Sequence, residues 1–151
     1  MDHQCNTALQ QFGEKLGIAG LCFDEYNSCL LMIDDISFNL QLKEKLNTLL
    51  IYCPLKKLDE QSPRELLLHL LEANCLGSGT HGLQLGLEKN MQVLILSGSL
   101  STHSLSPVEL EHFVQFFVDE ARRWNEELAS TPEPEAKKQE DIPYQGDMLR
   151  V

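Results

Sequence analysis

The chain has 151 residues, 42% of them hydrophobic, which suffices for one core and makes two large domains an unfavourable partition. Its formal net charge of -11 and isoelectric point near 4.8 exclude nucleic acid and anionic membrane as main partners, because phosphate binding draws on clustered Lys and Arg. The five cysteines are odd in number, scattered and without a C-x-x-C pair, a pattern of reduced thiols and not of a disulfide framework.

The N-terminal "MDHQCNTALQQFGEK" has neither a basic nor an apolar leader region, and no apolar run approaches the roughly 18 residues that span a bilayer. Export and membrane insertion are therefore not expected. Cys5, Ala8, Leu9, Phe12 and Leu16 share one helical face, so residues 5 to 16 read as an amphipathic helix stopped at Gly17. "GLCF" and "SCLLMID" follow as extended runs, separated by Asp24-Glu25-Tyr26-Asn27, a polar stretch suited to a hairpin turn. In "ISFNLQLK" Ile36, Phe38, Leu40 and Leu42 alternate with polar residues, the pattern of a half-buried strand. "TLLIYC" reads as a further strand ended by Pro54.

Ser62-Pro63-Arg64-Glu65 has the form of a capping box, with Ser62 at the cap and Glu65 reaching back. In the helix that follows, Leu66, Leu67, Leu68, Leu70, Leu71 and Cys75 cover an apolar arc of about 200°, where a helix resting on one core needs a stripe of somewhat over 100°. Two surfaces must cover that arc: either two parts of one core, or the core and a second copy of the chain.

Gly77-Ser78-Gly79-Thr80-His81-Gly82 fits the dinucleotide spacing G-x-G-x-x-G. That fingerprint needs its glycines between a strand and the start of a helix, where free N–H groups converge on a pyrophosphate. Here the order is helix, glycines, strand. Gly77 is instead expected to take a left-handed conformation just past the helix, with the other glycines as permissive loop positions. Leu83, Leu85 and Leu87 then alternate along one strand, and "MQVLILSG" pairs back as another.

Ser106-Pro107-Val108-Glu109 is a second capping box. It opens a helix whose stripe is Leu110, Phe113, Val114, Phe117, Val118, Ala121, Trp124 and Leu128, with Phe116 outside it. Residues 129 to 151 hold three prolines and many charges without periodicity, and are expected to form a flexible tail after a domain of residues 1 to 128.

No catalytic or metal-binding constellation emerges. The five histidines lack H-x-x-x-H spacing, and the hydroxyls around His103 lack an orienter or a G-x-S-x-G turn. Asp34 and Asp35, adjacent in an extended region, point apart and suit a bend between strands.

The order helix, three strands, helix, two strands, helix resembles the type III secretion chaperones of the Tir chaperone (CesT-type) family. The resemblance is carried by "FGEKLGIAGLCFDEYNSCLLMIDD", "LLEANCLGSGTHGLQLGLEKNMQVLILSGSL" and "LSPVELEHFVQFFVDEARRWNEEL", over roughly residues 5 to 128. It implies an α+β fold, a twisted antiparallel sheet with helices, assembled as a homodimer in the bacterial cytoplasm without enzymatic activity or cofactor. The implied partner is the N-terminal extended segment of a secreted effector. Leu9, Phe12, Leu16, Phe23, Leu31 and Ile33 are then the expected partner-binding residues, and Leu67, Leu68, Leu71 and Cys75 the expected dimer interface. Some relatives instead bind a secreted regulator or a transcriptional antiactivator and couple secretion to gene expression, which is the alternative role the resemblance allows.

Overall fold

The computed structural model describes residues 3–130. Helix α1 (His3–Lys15) buries Cys5, Ala8, Leu9 and Phe12, the face set by their spacing. It closes with Ile18 N–H donating to Gly13 O and Gly17 N–H donating to Glu14 O, while Gly17 takes φ +77. This paired closure satisfies carbonyls at the helix end and needs a residue free of a Cβ penalty in the left-handed region.

"GLCF", expected as a strand, is extended chain outside the sheet. Phe23 is buried and its N–H turns to Asn6 Oδ1 of α1, so this stretch is committed to the helix and not to a ladder. Asp24 then organises the turn: its carboxylate accepts from the N–H groups of Tyr26 and Ser28. Strands β1 (Ser28–Ile33) and β2 (Ile36–Lys43) pair antiparallel around Asp34-Asp35, where Asp34 stands at φ 54.

Strand β3 (Thr48–Lys57) does not end at Pro54 but runs through it, with an irregularity in register between Pro54 and Lys57. Pairing with β2 stops at Tyr52, so Pro54 sits where β3 has become an edge on that side and a missing N–H is tolerated. Helix α2 (Arg64–Asn74) follows, then strands β4 (Gln84–Glu88) and β5 (Val93–Ser101), and last α3 (Pro107–Ser130). The five strands lie in the order β1-β2-β3-β5-β4, every neighbouring pair antiparallel. This is the expected α+β fold. Ala129 and Ser130, expected in the tail, complete α3; the remainder of that tail lies outside the described residues.

The sheet's inner face carries Ile36, Phe38, Leu40, Leu49, Ile51 and Leu96, all nearly inaccessible. Against it lies the α3 stripe, with Phe117 packing on Phe38 at a ring separation of 6.3 Å. Each such side chain withdrawn from water contributes about 1.5–3 kcal/mol before its ordering entropy is counted. On the other face a polar ladder crosses three strands: Ser28 Oγ donates to Asn39 Oδ1, and Asn39 Nδ2 donates to the Tyr52 hydroxyl.

The two capping boxes fare differently. Ser106 and Glu109 form theirs reciprocally, with Glu109 N–H donating to Ser106 Oγ and Ser106 N–H to Glu109 Oε2. Ser62 caps nothing on α2; its hydroxyl turns back to accept from Asp59 N–H, and Pro63 becomes the flanking residue whose carbonyl accepts from Leu66 and Leu67. The Asp59–Ser62 turn has taken the hydroxyl that the helix would have used.

Candidate functional site: a bare sheet edge and an apolar helix strip

Among the surfaces that expose apolar side chains, two carry the residues singled out from the sequence. The first centres on β1, a terminal strand of the sheet, on whose outer edge no described strand pairs. Backbone N–H and C=O groups on such an edge are a template for an added strand. Beside it, Leu30 and Met32 point away from the core, 73% and 67% exposed, while Cys29 and Leu31 point inward.

Of the six residues expected to meet a partner, Leu9, Phe12 and Leu31 lie in the core, and Phe23 is buried at its margin. Ile33 is half-buried against the same core, and Leu16, beyond the end of α1, is 41% exposed. Of the six, only Leu16 and part of Ile33 present side chains outward. Leu30 and Met32 were not among the residues expected to meet a partner; because "CLLMI" is apolar at every position, β1 carries apolar side chains on both faces of the sheet.

The second surface is α2. Leu66, Leu70 and Ala73 point into the core, whereas Leu67, Leu68, Leu71 and Cys75 form an outward strip, Leu71 being 67% exposed. The wide apolar arc therefore resolves into two faces, of which the domain's own core covers one.

Beyond α2 the chain makes a tight glycine loop. Leu76 and Gly77 both have positive φ, 55 and 70, and Gly82 N–H donates to Gly77 O. Gly77 is left-handed as its position past a helix end demands. Gly79 has a different reason: a Cβ there would stand 2.7 Å from Ala73 Cα and Cβ, so only glycine allows the loop to close on α2. Buried Thr80 donates its hydroxyl proton to Leu83 O, and Asn74 Oδ1 accepts from Leu85 N–H, tying the end of α2 to β4.

α3 holds this loop. Arg123 donates through Nε and Nη2 to Glu120 Oε2 and through Nη2 to Gly79 O, and His81 Nδ1 lies 2.8 Å from Glu120 Oε1. Burial pushes the Glu120 carboxyl up, but the hydrogen bonds and charges of Arg123 and His81 outweigh it and hold the group below its ordinary value. The loop's N–H groups face no helix N-terminus, so the nucleotide fingerprint lacks its essential partner. Burial raises the Cys29 thiol, with Cys22 and Asp24 adding to the effect, and burial raises Cys53; both are pushed up to about 11, where they stay protonated and poorly nucleophilic. Among the described residues no group of three His, Cys, Asp or Glu side chains is placed to hold a metal ion, and no helix is long and apolar enough to cross a membrane.

The fold is similar to that of solved chaperone complexes. It matches the structure of the HopA1-SchA chaperone-effector complex with a TM-score of 0.67 at 23% identity, over 80% of this chain and 91% of that one. It matches the ExsC-ExsE complex with a TM-score of 0.72 at 19% identity, over 83% and 96%. The Yersinia pestis type III secretion chaperone SycH, in complex with a fragment of YscM2, gives 0.60 at 20% identity, over 79% and 98%. No curated protein sequence matches the chain. The model of the Tir chaperone protein (CesT) family matches residues 7–125, and the chain belongs to that family.

Proposed function

We propose that this protein is a cytoplasmic type III secretion chaperone that binds, as a homodimer, the N-terminal extended segment of a secreted effector and keeps that segment soluble and export-competent. The observation that carries the reading, within the family, is the bare β1 edge flanked by exposed apolar side chains. An extended segment gains main-chain hydrogen bonds by adding a strand there and specificity by seating alternate side chains on Leu30, Met32, Leu16 and Ile33. Leu9, Phe12, Phe23 and Leu31 form the floor that holds this corner in shape. The outward leucines of α2 supply the dimer contact, since a two-fold partner presents the same strip in return. Neither catalysis nor a cofactor enters this role.

The test is capture of the partner from the source bacterium, followed by limited proteolysis of the complex and mapping of the protected region. An N-terminal segment of a secreted protein, protected over tens of residues and slowing amide exchange along β1, supports the reading. A non-secreted regulator as the sole partner would replace it with the partner-switching role. Leu30→Asp and Met32→Asp, both on the solvent side of β1, are expected to weaken cargo binding at least tenfold while the protein stays folded.

A further inference from the structure

The register of β1 decides which of its main-chain groups face the bare edge. Asn27 O accepts from Leu42 N–H, and in the pairing that follows Cys29 stands opposite Leu40, Leu31 opposite Phe38 and Ile33 opposite Ile36. These odd-numbered residues therefore turn their main-chain groups toward β2, and by alternation Ser28, Leu30 and Met32 turn theirs outward. Ser28 is already satisfied: its N–H donates to Asp24 Oδ1 at 2.8 Å, and its O accepts from Asp24 N–H at 2.9 Å. The chain before Asp24 does not extend this pairing, because the next N–H, that of Phe23, turns to Asn6 Oδ1.

Leu30 and Met32 are thus what the edge offers. Each has an outward N–H and C=O without a partner among the described residues, and a side chain exposed on the sheet's outer face. In an antiparallel pair, directly opposed residues of this kind exchange two hydrogen bonds and put their side chains on the same face. Two residues of an added strand, opposite Met32 and Leu30, therefore bond to β1 and lay their side chains against these two. The residue between them turns its N–H to solvent and its side chain to the other face.

We infer that β1 reads a short antiparallel element of the form Φ-x-Φ in its cargo, where each Φ is an apolar residue other than proline and x is unrestricted, and that Asp24 is the positioning residue that ends the ladder at Leu30. The inference rests on the effector-binding role proposed above and names the chemistry which that role selects. Antiparallel pairing follows the rest of the sheet, in which every neighbouring pair runs that way. Proline is excluded at Φ because it has no N–H for the Leu30 or Met32 carbonyl, and tolerated at x, whose N–H would point away. Apolar side chains are selected at Φ because a charged one would lose water against Leu30 and Met32 without gaining a partner. Beyond Leu30, the cargo carbonyl that would accept from Ser28 meets the Asp24 carboxylate instead. Two acceptors repel, so the cargo leaves the edge there.

A phage-displayed library of random linear peptides, panned on the immobilised full chain, tests this. Selected peptides are expected to share Φ-x-Φ and to lose binding to Leu30→Asp and Met32→Asp. In a synthetic copy of the tightest binder, proline at either Φ should weaken affinity about tenfold or more, and proline at x by less than about threefold. Amide exchange reads the register: bound peptide should slow the Leu30 and Met32 amides about tenfold or more and leave those of Ser28, Cys29 and Leu31 unchanged, since the free chain already bonds them. In Asp24→Ala the Ser28 amide should exchange faster in the free chain and be slowed by the peptide, whereas Asp24→Asn, which keeps an acceptor, should behave as wild type. Proline costing as much at x as at Φ, or new protection falling on Cys29 and Leu31, overturns the register while the edge stands as the cargo site. A Ser28 amide that stays slow in Asp24→Ala removes Asp24 as the stop. A library that yields no binder dependent on Leu30 and Met32 ends the cargo reading of β1 itself.

Discussion

Arg123 donates a hydrogen bond from Nη2 to Gly79 O at 2.8 Å, joining the third turn from the end of α3 to the loop that follows α2. The same guanidinium binds Glu120 and Glu127 and lies 5.2 Å from the centre of the Trp124 ring, while Glu127 meets His69 of α2. One cation thus fixes loop, helix and indole together. Arg123→Ala is expected to destabilise the fold by about 1–3 kcal/mol, chiefly by leaving the buried Glu120 carboxylate short of donors. Arg123→Lys should recover only part, since a point charge cannot reproduce the forked geometry. Urea unfolding followed by the single tryptophan checks both.

Glu120 gives the domain an acid dependence of defined sign. Its carboxyl is held below the ordinary value of 4.5 in the folded protein, so the unfolded chain binds this proton at a higher pH. The stabilisation is fully present above that value and is lost as pH falls through the lower, folded one. Glu120→Gln is expected to be less stable at neutral pH and to flatten the stability curve below pH 4.5. Equal slopes for wild type and variant in that range would contradict the account.

Two glycines should respond oppositely to alanine. Gly79→Ala places a Cβ 2.7 Å from the Ala73 backbone and side chain, and is expected to cost about 1–3 kcal/mol through a forced displacement of the loop. Gly86, in β4, has open space where its Cβ would stand and no left-handed φ. Gly86→Ala is expected to be neutral or stabilising by up to about 1 kcal/mol. Thermal melts of the two variants side by side decide it.

On α2, adjacent leucines should separate folding from association. Leu70→Asp buries an unpaired charge and is expected to unfold the domain or cost more than about 3 kcal/mol. Leu71→Asp lies on the outward face, so the expected product is a folded monomer. Circular dichroism and light scattering distinguish the two outcomes; a dimeric Leu71→Asp protein would count against the proposed interface.

Thiol reactivity offers a footprint of the same surface. Cys22 and Cys75 are exposed, and Cys5, Cys29 and Cys53 are buried. Native alkylation is expected to stop at Cys22 and Cys75, with Cys75 protected in the wild-type dimer and released by Leu71→Asp. Cys22 serves as the internal control.

The periodicity made most of the fold legible. α1, β2 and α3 each carry one apolar face, and burial follows it except at Leu16, which lies beyond α1 and is exposed, at half-buried Phe113, and at Glu120, a carboxylate buried beside the α3 stripe. Three errors were local competitions that periodicity does not weigh. "GLCF" bonded to a helix and not to a strand, β3 outran Pro54 because its β2 neighbour had already ended, and Ser62 served a turn ahead of its helix. The proposed partner-binding residues pose a different problem. Leu9, Phe12 and Leu31 are apolar because they are core, and hydrophobicity alone does not distinguish a floor from a contact; the outward Leu30, Met32 and Leu76 are visible only once the backbone assigns them a side.

The tie between Asn74 and Leu85 has a consequence for solubility. Asn74 takes the Leu85 N–H on β4, and Asp24 takes both the N–H and the C=O of Ser28 on β1, so each terminal strand of the sheet has part of its outer edge already satisfied by its own chain. A molecule with two long open edges can stack without limit, each addition creating the next site. Shortening the open stretch at both ends is the means by which a sheet protein limits that stacking.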